Sequence, residues 1–259
     1  MINIFSILFA LTCGIVPALI WLYFWLKEDA YHPEPLSLIM TTFLAGSLAV
    51  ILVIPLEKIA GNIFPGIGLM TFLLWAILEE GFKFIAAYTG GIRRREDDEP
   101  LDPMIYMIVA ALGFVAIENA LFIISPLVGV DGLGNIIIRP LLSGDISLGL
   151  MTGNLRFIGA ALLHIVSSSI IGSSLALNFY KSRTEKILWF IFAFIISVFV
   201  HTAFNLFIVD QNGLGMFLVF GAVWSGTAIL ILMFEKVKLI VSEEKRVAGK
   251  PVSTDHSSL

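Results

Sequence analysis

Residues Gly68–Tyr88 read GLMTFLLWAILEEGFKFIAAY. The stretch is long enough to cross a bilayer and apolar apart from Glu79, Glu80 and Lys83. An ionised side chain at membrane depth costs at least about 2.5–3.5 kcal/mol on insertion scales. Two adjacent carboxylates also repel one another. A bilayer-spanning segment that retains all three groups therefore has a use for them.

The rest of the chain places this segment among others of its kind. Of 259 residues, 58% are hydrophobic and 14% charged, against roughly 45–50% and about 25% in soluble domains. This composition excludes a soluble globular domain and predicts an all-α, polytopic bundle of about seven spanning helices. At about 20 residues per crossing, the apolar runs fall at about 4–26, 36–54, 67–88, 104–124, 157–179, 187–209 and 214–233. Residues 1–235 read as one bundle with a catalytic core at about 67–209, and 236–259 as a solvated, disordered tail. No internal repeat interrupts the order. The first run lacks a basic leader and exceeds the roughly 7–15 apolar residues of a secretory signal, so it reads as a retained helix. The one cysteine, Cys13, rules out a disulfide framework.

Basic residues orient the bundle. Twelve lysines and arginines fall in the first, third and fifth loops and the tail, against three (Lys58, Arg139, Arg156) in the other loops. The positive-inside rule then predicts a cytoplasmic C-terminus and an outside N-terminus in a plasma membrane. No nucleic-acid partner is expected.

Few ionisable groups lie well inside the helices: Glu79, Glu80 and Lys83 in the third, Glu118 in the fourth, His164 in the fifth and His201 in the sixth. Asn119 and Asn205 accompany them. At about 1.5 Å per residue, Glu118, His164 and His201 come out about 9–12 Å from the outer helix ends, and Glu79 and Glu80 roughly 18–20 Å. The four helices can therefore contribute to one site. Lys83 stands four residues from Glu79 and three from Glu80, and spacing alone permits either ion pair. His201 and Asn205 share a face, as do Phe114 and Glu118. Taken singly, each group has a structural use as a counter-ion or an interhelical hydrogen-bonder.

Taken together, carboxylates and two histidines are the parts of a hydrolytic site. Two histidines and one glutamate also match a three-ligand catalytic zinc site. There is no HExxH motif, so a metal would have to be held from separate helices. His164 and His201, with Glu79 or Glu118, are the candidate ligands.

The patterns EEGFK (Glu79–Lys83), GFVAIEN (Gly113–Asn119), the isolated His164 and HTAFN (His201–Asn205), in that order, resemble the PrsW family of intramembrane proteases, in the clan of the CaaX prenyl endopeptidases. The resemblance covers about Trp75–Leu206. It implies metal-dependent hydrolysis, with Zn2+ the expected ion, of a single-pass membrane substrate such as an anti-sigma factor, near the outer face. It further implies Glu79 and Glu80 as base and partner, Glu118 as an acid, His164 and His201 as water or metal ligands, and Asn205 as oxyanion support. Lys83, Asn119 and Phe114 are expected to support the site. Glutamate-activated water without metal stays open. The alternatives are a proton-coupled transporter and a non-catalytic scaffold of the same fold. Neither the role of residues 125–154 nor the oligomeric state is legible.

Overall fold

The computed structural model describes residues 4–29, 32–64, 66, 68–124, 128–130, 136–138, 143–209 and 213–247. Seven α-helices follow in chain order: α1 (Ile4–Glu28), α2 (Leu36–Ile63), α3 (Leu69–Ala87), α4 (Asp102–Ile124), α5 (Ser143–Leu177), α6 (Arg183–Val209) and α7 (Gly213–Val247). A π-helical turn, Tyr88–Ile92, extends α3. Two three-residue strands, β1 (Val128–Val130) and β2 (Ile136–Ile138), pair antiparallel between α4 and α5.

Among the described residues six helices are long and apolar enough to cross a membrane. The seventh, α3, has 19 residues and carries Glu79, Glu80 and Lys83. The chain is thus an all-α polytopic membrane protein. A hydrocarbon phase cannot satisfy backbone polar groups, so each crossing closes its own hydrogen bonds within a helix.

The centre of the bundle is α4. Its residues from Asp102 to Ala116 are all buried, as befits a helix apolar on every side. It packs against α1, α2 and α5; α3 lies on α2 and α6, and α7 on α5. Close approach between α2 and α4 depends on two glycines. A Cβ at Gly46 would lie 2.1 Å from the Ala110 carbonyl oxygen, and one at Gly113 would lie 2.0 Å from that of Phe43. Small residues at such crossings let dispersion contacts form along the whole seam, which drives association where lipid removes the hydrophobic term.

Three helices differ in extent from the sequence reading. The α2 helix continues past Pro55 to Ile63, so Glu57 is helical and not in a loop. Helix α5 begins at Ser143, fourteen residues before the predicted start at 157. Helix α7 runs on to Val247, so the first part of the predicted tail is helical; residues 248–259 lie outside the described residues. Charge or glycine at these ends breaks the apolar pattern without breaking the helix.

Lys238 of α7 pairs with Glu28 of α1 at 3.0 Å, so this part of α7 lies beside the end of α1.

Candidate functional site

Four consecutive helices bring their ionisable groups into one buried set. The α3 register puts Glu79, Glu80 and Lys83 on its inward face, where all three are buried. The ring of His164 on α5 stands 5.1 Å from that of His201 on α6, nearly perpendicular to it. Glu118 of α4 closes the set from the side, its Oε2 2.8 Å from His164 Nε2.

The i+3 spacing, not the i+4, makes the tight ion pair. Lys83 Nζ donates to Glu80 Oε1 at 2.7 Å and stands 3.6 Å from Glu79 Oε2. Glu80 is wholly enclosed and heavily bonded. Its Oε1 also accepts from Ser167 Oγ at 2.9 Å and pairs with His201 Nδ1 at 2.8 Å; its Oε2 accepts from Ser168 Oγ at 2.8 Å. Such a carboxylate is held in place by its donors, which suits it to orient its neighbours.

Glu79 has the opposite character. Its Oε2 is buried and has no hydrogen-bond partner among the described residues. It faces His201 Nε2 at 3.6 Å and His164 Nδ1 at 3.8 Å. A buried, unpartnered carboxylate oxygen between two imidazoles is a place where a water or a cation completes the polar set.

The partners assign the imidazole tautomers. His201 Nδ1–H donates to Glu80, which leaves the Nε2 lone pair on the Glu79 side. Lys83 Nζ stands 2.7 Å from His164 Nδ1. An ammonium only donates, so Nδ1 accepts, and Nε2–H donates to Glu118. Lys83 also lies 4.8 Å from the centre of the Phe114 ring, whose own centre is 5.5 Å from that of His164. Phe114 thus walls the site and faces its one ammonium.

A metal fits this donor set. Tetrahedral zinc, with N and O ligands at about 2.0–2.2 Å, separates ligand atoms by about 3.3–3.5 Å. One ligand atom each from Glu79, His164 and His201 lie within 4.8 Å of one another. The Glu80–His201 bond is the carboxylate–histidine support that metal-ligating imidazoles need. Lys83 competes for the His164 Nδ1 lone pair and would have to swing off it.

Of the residues singled out in the sequence, Glu79, Glu80, Lys83, Glu118, His164, His201 and Phe114 come together. Asn119 is buried and Asn205 half-buried one turn along from His201. Among the described contacts neither amide reaches a carboxylate or imidazole of the set. Three participants were not singled out. Ser167 and Ser168 cap Glu80; the serine run after His164 is their signal. The Glu57 carboxyl of α2 stands beside that of Glu79, while Trp75 Nε1 donates to the Glu57 carbonyl oxygen at 3.1 Å. Glu57 lay hidden because its charge reads as the end of an apolar run.

Comparison with known proteins shows the family of the chain. A family model described as "PrsW family intramembrane metalloprotease" matches residues 34–234. The chain is 32% identical over 117 residues to a protein of Clostridioides difficile (43% of this chain, 49% of the relative). It is 31% identical over 134 residues to one of Geobacillus kaustophilus (51% and 57%), and 30% identical over 121 residues to one of Bacillus subtilis (44% and 53%). Each is named Protease PrsW. The matches span about half the length of these relatives. No solved structure matches the chain.

Proposed function

We propose that this chain, which belongs to the PrsW family of intramembrane metalloproteases, hydrolyses a peptide bond in a membrane-anchored, single-pass protein. The observation that carries the reading is the unpartnered Glu79 Oε2, buried between His164 and His201 and backed by a saturated Glu80. A transporter needs a polar path; a scaffold needs satisfied bonds. A carboxylate oxygen without a hydrogen bond, set between two imidazoles, is what water activation needs.

In this reading Glu79 takes a proton from water as the water oxygen adds to the scissile carbonyl carbon. His201 is held by Glu80 so that Nε2 faces the reacting water. Glu118, whose side chain is 32% exposed and the most open of the set, passes a proton to the leaving nitrogen as the C–N bond breaks. Glu57 stands beside Glu79. Asn205 is the candidate donor to the carbonyl oxygen. Glu79, His164 and His201 are the residues that would hold Zn2+, in which case Glu79 would serve as a ligand and not as the base. Zinc there would polarise the carbonyl and acidify the attacking water.

Glu118 and Glu57 lie about 9 Å from the ends of α4 and α2, six residues on in each case. Under the positive-inside orientation both ends face outside, so cleavage falls in the outer part of a plasma membrane. An anti-sigma factor is one substrate of the right topology.

The test is co-expression with single-pass reporters, comparing the unmodified chain with Glu79→Gln and His201→Ala at matched abundance. Cleavage that disappears in both variants supports the protease. Equal cleavage in all three ends the catalytic reading. Uptake by proteoliposomes without cleavage would favour the transporter, and partner retention without cleavage the scaffold.

A further inference from the structure

At the other end of α4 lies a second polar cluster that the proteolytic site does not use. Asp102 opens α4, sixteen residues before Glu118, which places the two about 24 Å apart along the helix. Four carboxylates gather there from three segments: Asp29 and Glu34 in the connection between α1 and α2, Asp97 in the loop after the π-turn, and Asp102 at the start of α4. Asp102 is 0% exposed and Asp29 only 3%.

Their bonding is incomplete in a specific way. Asp102 Oδ2 accepts from the backbone N–H groups of Asp98 and Glu99, both at 2.8 Å. The Tyr106 hydroxyl donates to Glu34 Oε2. Yet Asp29 Oδ2, Asp97 Oδ1 and Asp102 Oδ1 are all buried without a partner. Among the described residues none of the four carboxylates makes an ion pair with a lysine or arginine; Lys238, whose charge bears on Asp29, is engaged by Glu28 and Glu235, and Lys186 bears on Asp97 without pairing with it. Burial first, then the charges of Glu99 and Glu34, pushes the Asp29 carboxyl up to about 7. Burial, with Glu34 next, does the same to Asp97, also to about 7.

Buried carboxylates are paired, protonated or bound to a cation. Asp29 and Asp102 are buried and Glu34 and Asp97 half-buried; from three segments they share three unused oxygens and no lysine or arginine within ion-pair distance. We propose that Asp29, Glu34, Asp97 and Asp102 bind a hydrated, hard divalent cation, Mg2+ or Ca2+, that ties the start of α4 to the ends of α1 and α2. All-oxygen carboxylate ligands select hard cations. Such ions keep some of their waters and take one or two carboxylates directly, so the remaining carboxylates reach the ion through water. Borderline zinc instead prefers the imidazole set about 24 Å away.

The experiment uses the full chain, purified in detergent and stripped with chelator, in a His201→Ala background so that the intramembrane group does not contribute. Its thermal midpoint is followed in MgCl2, CaCl2 and, at matched ionic strength, NaCl. A saturable rise of several degrees with Mg2+, Ca2+ or both, absent with NaCl and lost in Asp97→Asn and Glu34→Gln, is the expected result. A response that NaCl reproduces, or one that persists in both variants, overturns the proposal. Because these variants can unfold, Mn2+ binding to the chain with both acids intact is measured by electron paramagnetic resonance. One Mn2+ displaced by Mg2+ or Ca2+ is expected; no displaceable Mn2+ overturns the site.

Discussion

Lys83 and His164 meet across α3 and α5, Nζ 2.7 Å from Nδ1, with neither side chain open to solvent. The ammonium gives one hydrogen to the imidazole and one to Glu80. It is therefore both the counter-charge of the buried carboxylate and the group that sets the His164 tautomer.

Removing that ammonium leaves Glu80 charged in a wholly enclosed place. Breaking one side of a buried pair costs about 3–5 kcal/mol. Lys83→Met is expected to lose that much, read by unfolding in mixed micelles. Glu80→Gln together with Lys83→Met restores part of it, since no lone charge remains. A Lys83→Met protein as stable as the parent would mean that Ser167, Ser168 and His201 alone hold the carboxylate.

The two adjacent glutamates separate by function. Glu79→Gln removes charge from an oxygen with no hydrogen bond to lose, so the melting temperature should hold or rise. Reporter cleavage should fall about 10²–10⁴-fold, the range of a general base. Glu80→Gln turns an acceptor of four donors into a mixed amide and should lower the yield of folded protein. If the two variants instead behave alike in both assays, the division of labour is wrong.

This division could not be read from the sequence. The order of seven helices, and which four carry ionisable groups, followed from apolar runs and charge placement. The Lys83 pairing did not, because i+3 and i+4 partners are equally reachable on one helix. Ser167, Ser168 and His201 decide it, by converging on Glu80 from other helices. Helix ends were hidden for a related reason. Residues 143–156, SGDISLGLMTGNLR, are glycine-rich and polar, and the end of α7 carries EKVKLIVSEEKRV, yet both are helical. A hydropathy pattern marks where lipid lies, not where a helix stops. Glu57 was missed on that account.

Metal loading has a readout of its own. With Glu79, His164 and His201 as ligands, zinc added to chelator-stripped protein should raise stability by about 2.7 kcal/mol at a hundredfold excess over Kd. His201→Ala and Glu79→Gln should each abolish the rise. Lys83→Met should strengthen zinc binding, because it frees His164 Nδ1. Zinc stabilisation that survives His201→Ala would place the ion elsewhere.

The α2–α4 seam predicts a contrast between glycines. A Cβ at Gly46 or Gly113 would fall about 2 Å from a backbone carbonyl oxygen of the facing helix, and backbone cannot step aside as a side-chain tip can. Overpacking costs typically about 1–3 kcal/mol, and here it must also pry α2 from the helix that carries Glu118. Gly46→Ala and Gly113→Ala should therefore lower both folded yield and cleavage. Gly61, on the same α2, has nothing within 4 Å of an added Cβ, and Gly61→Ala should leave both unchanged. Thermal melts of the three variants decide it: equal loss in all would make helix flexibility, not close packing, the reason for these glycines.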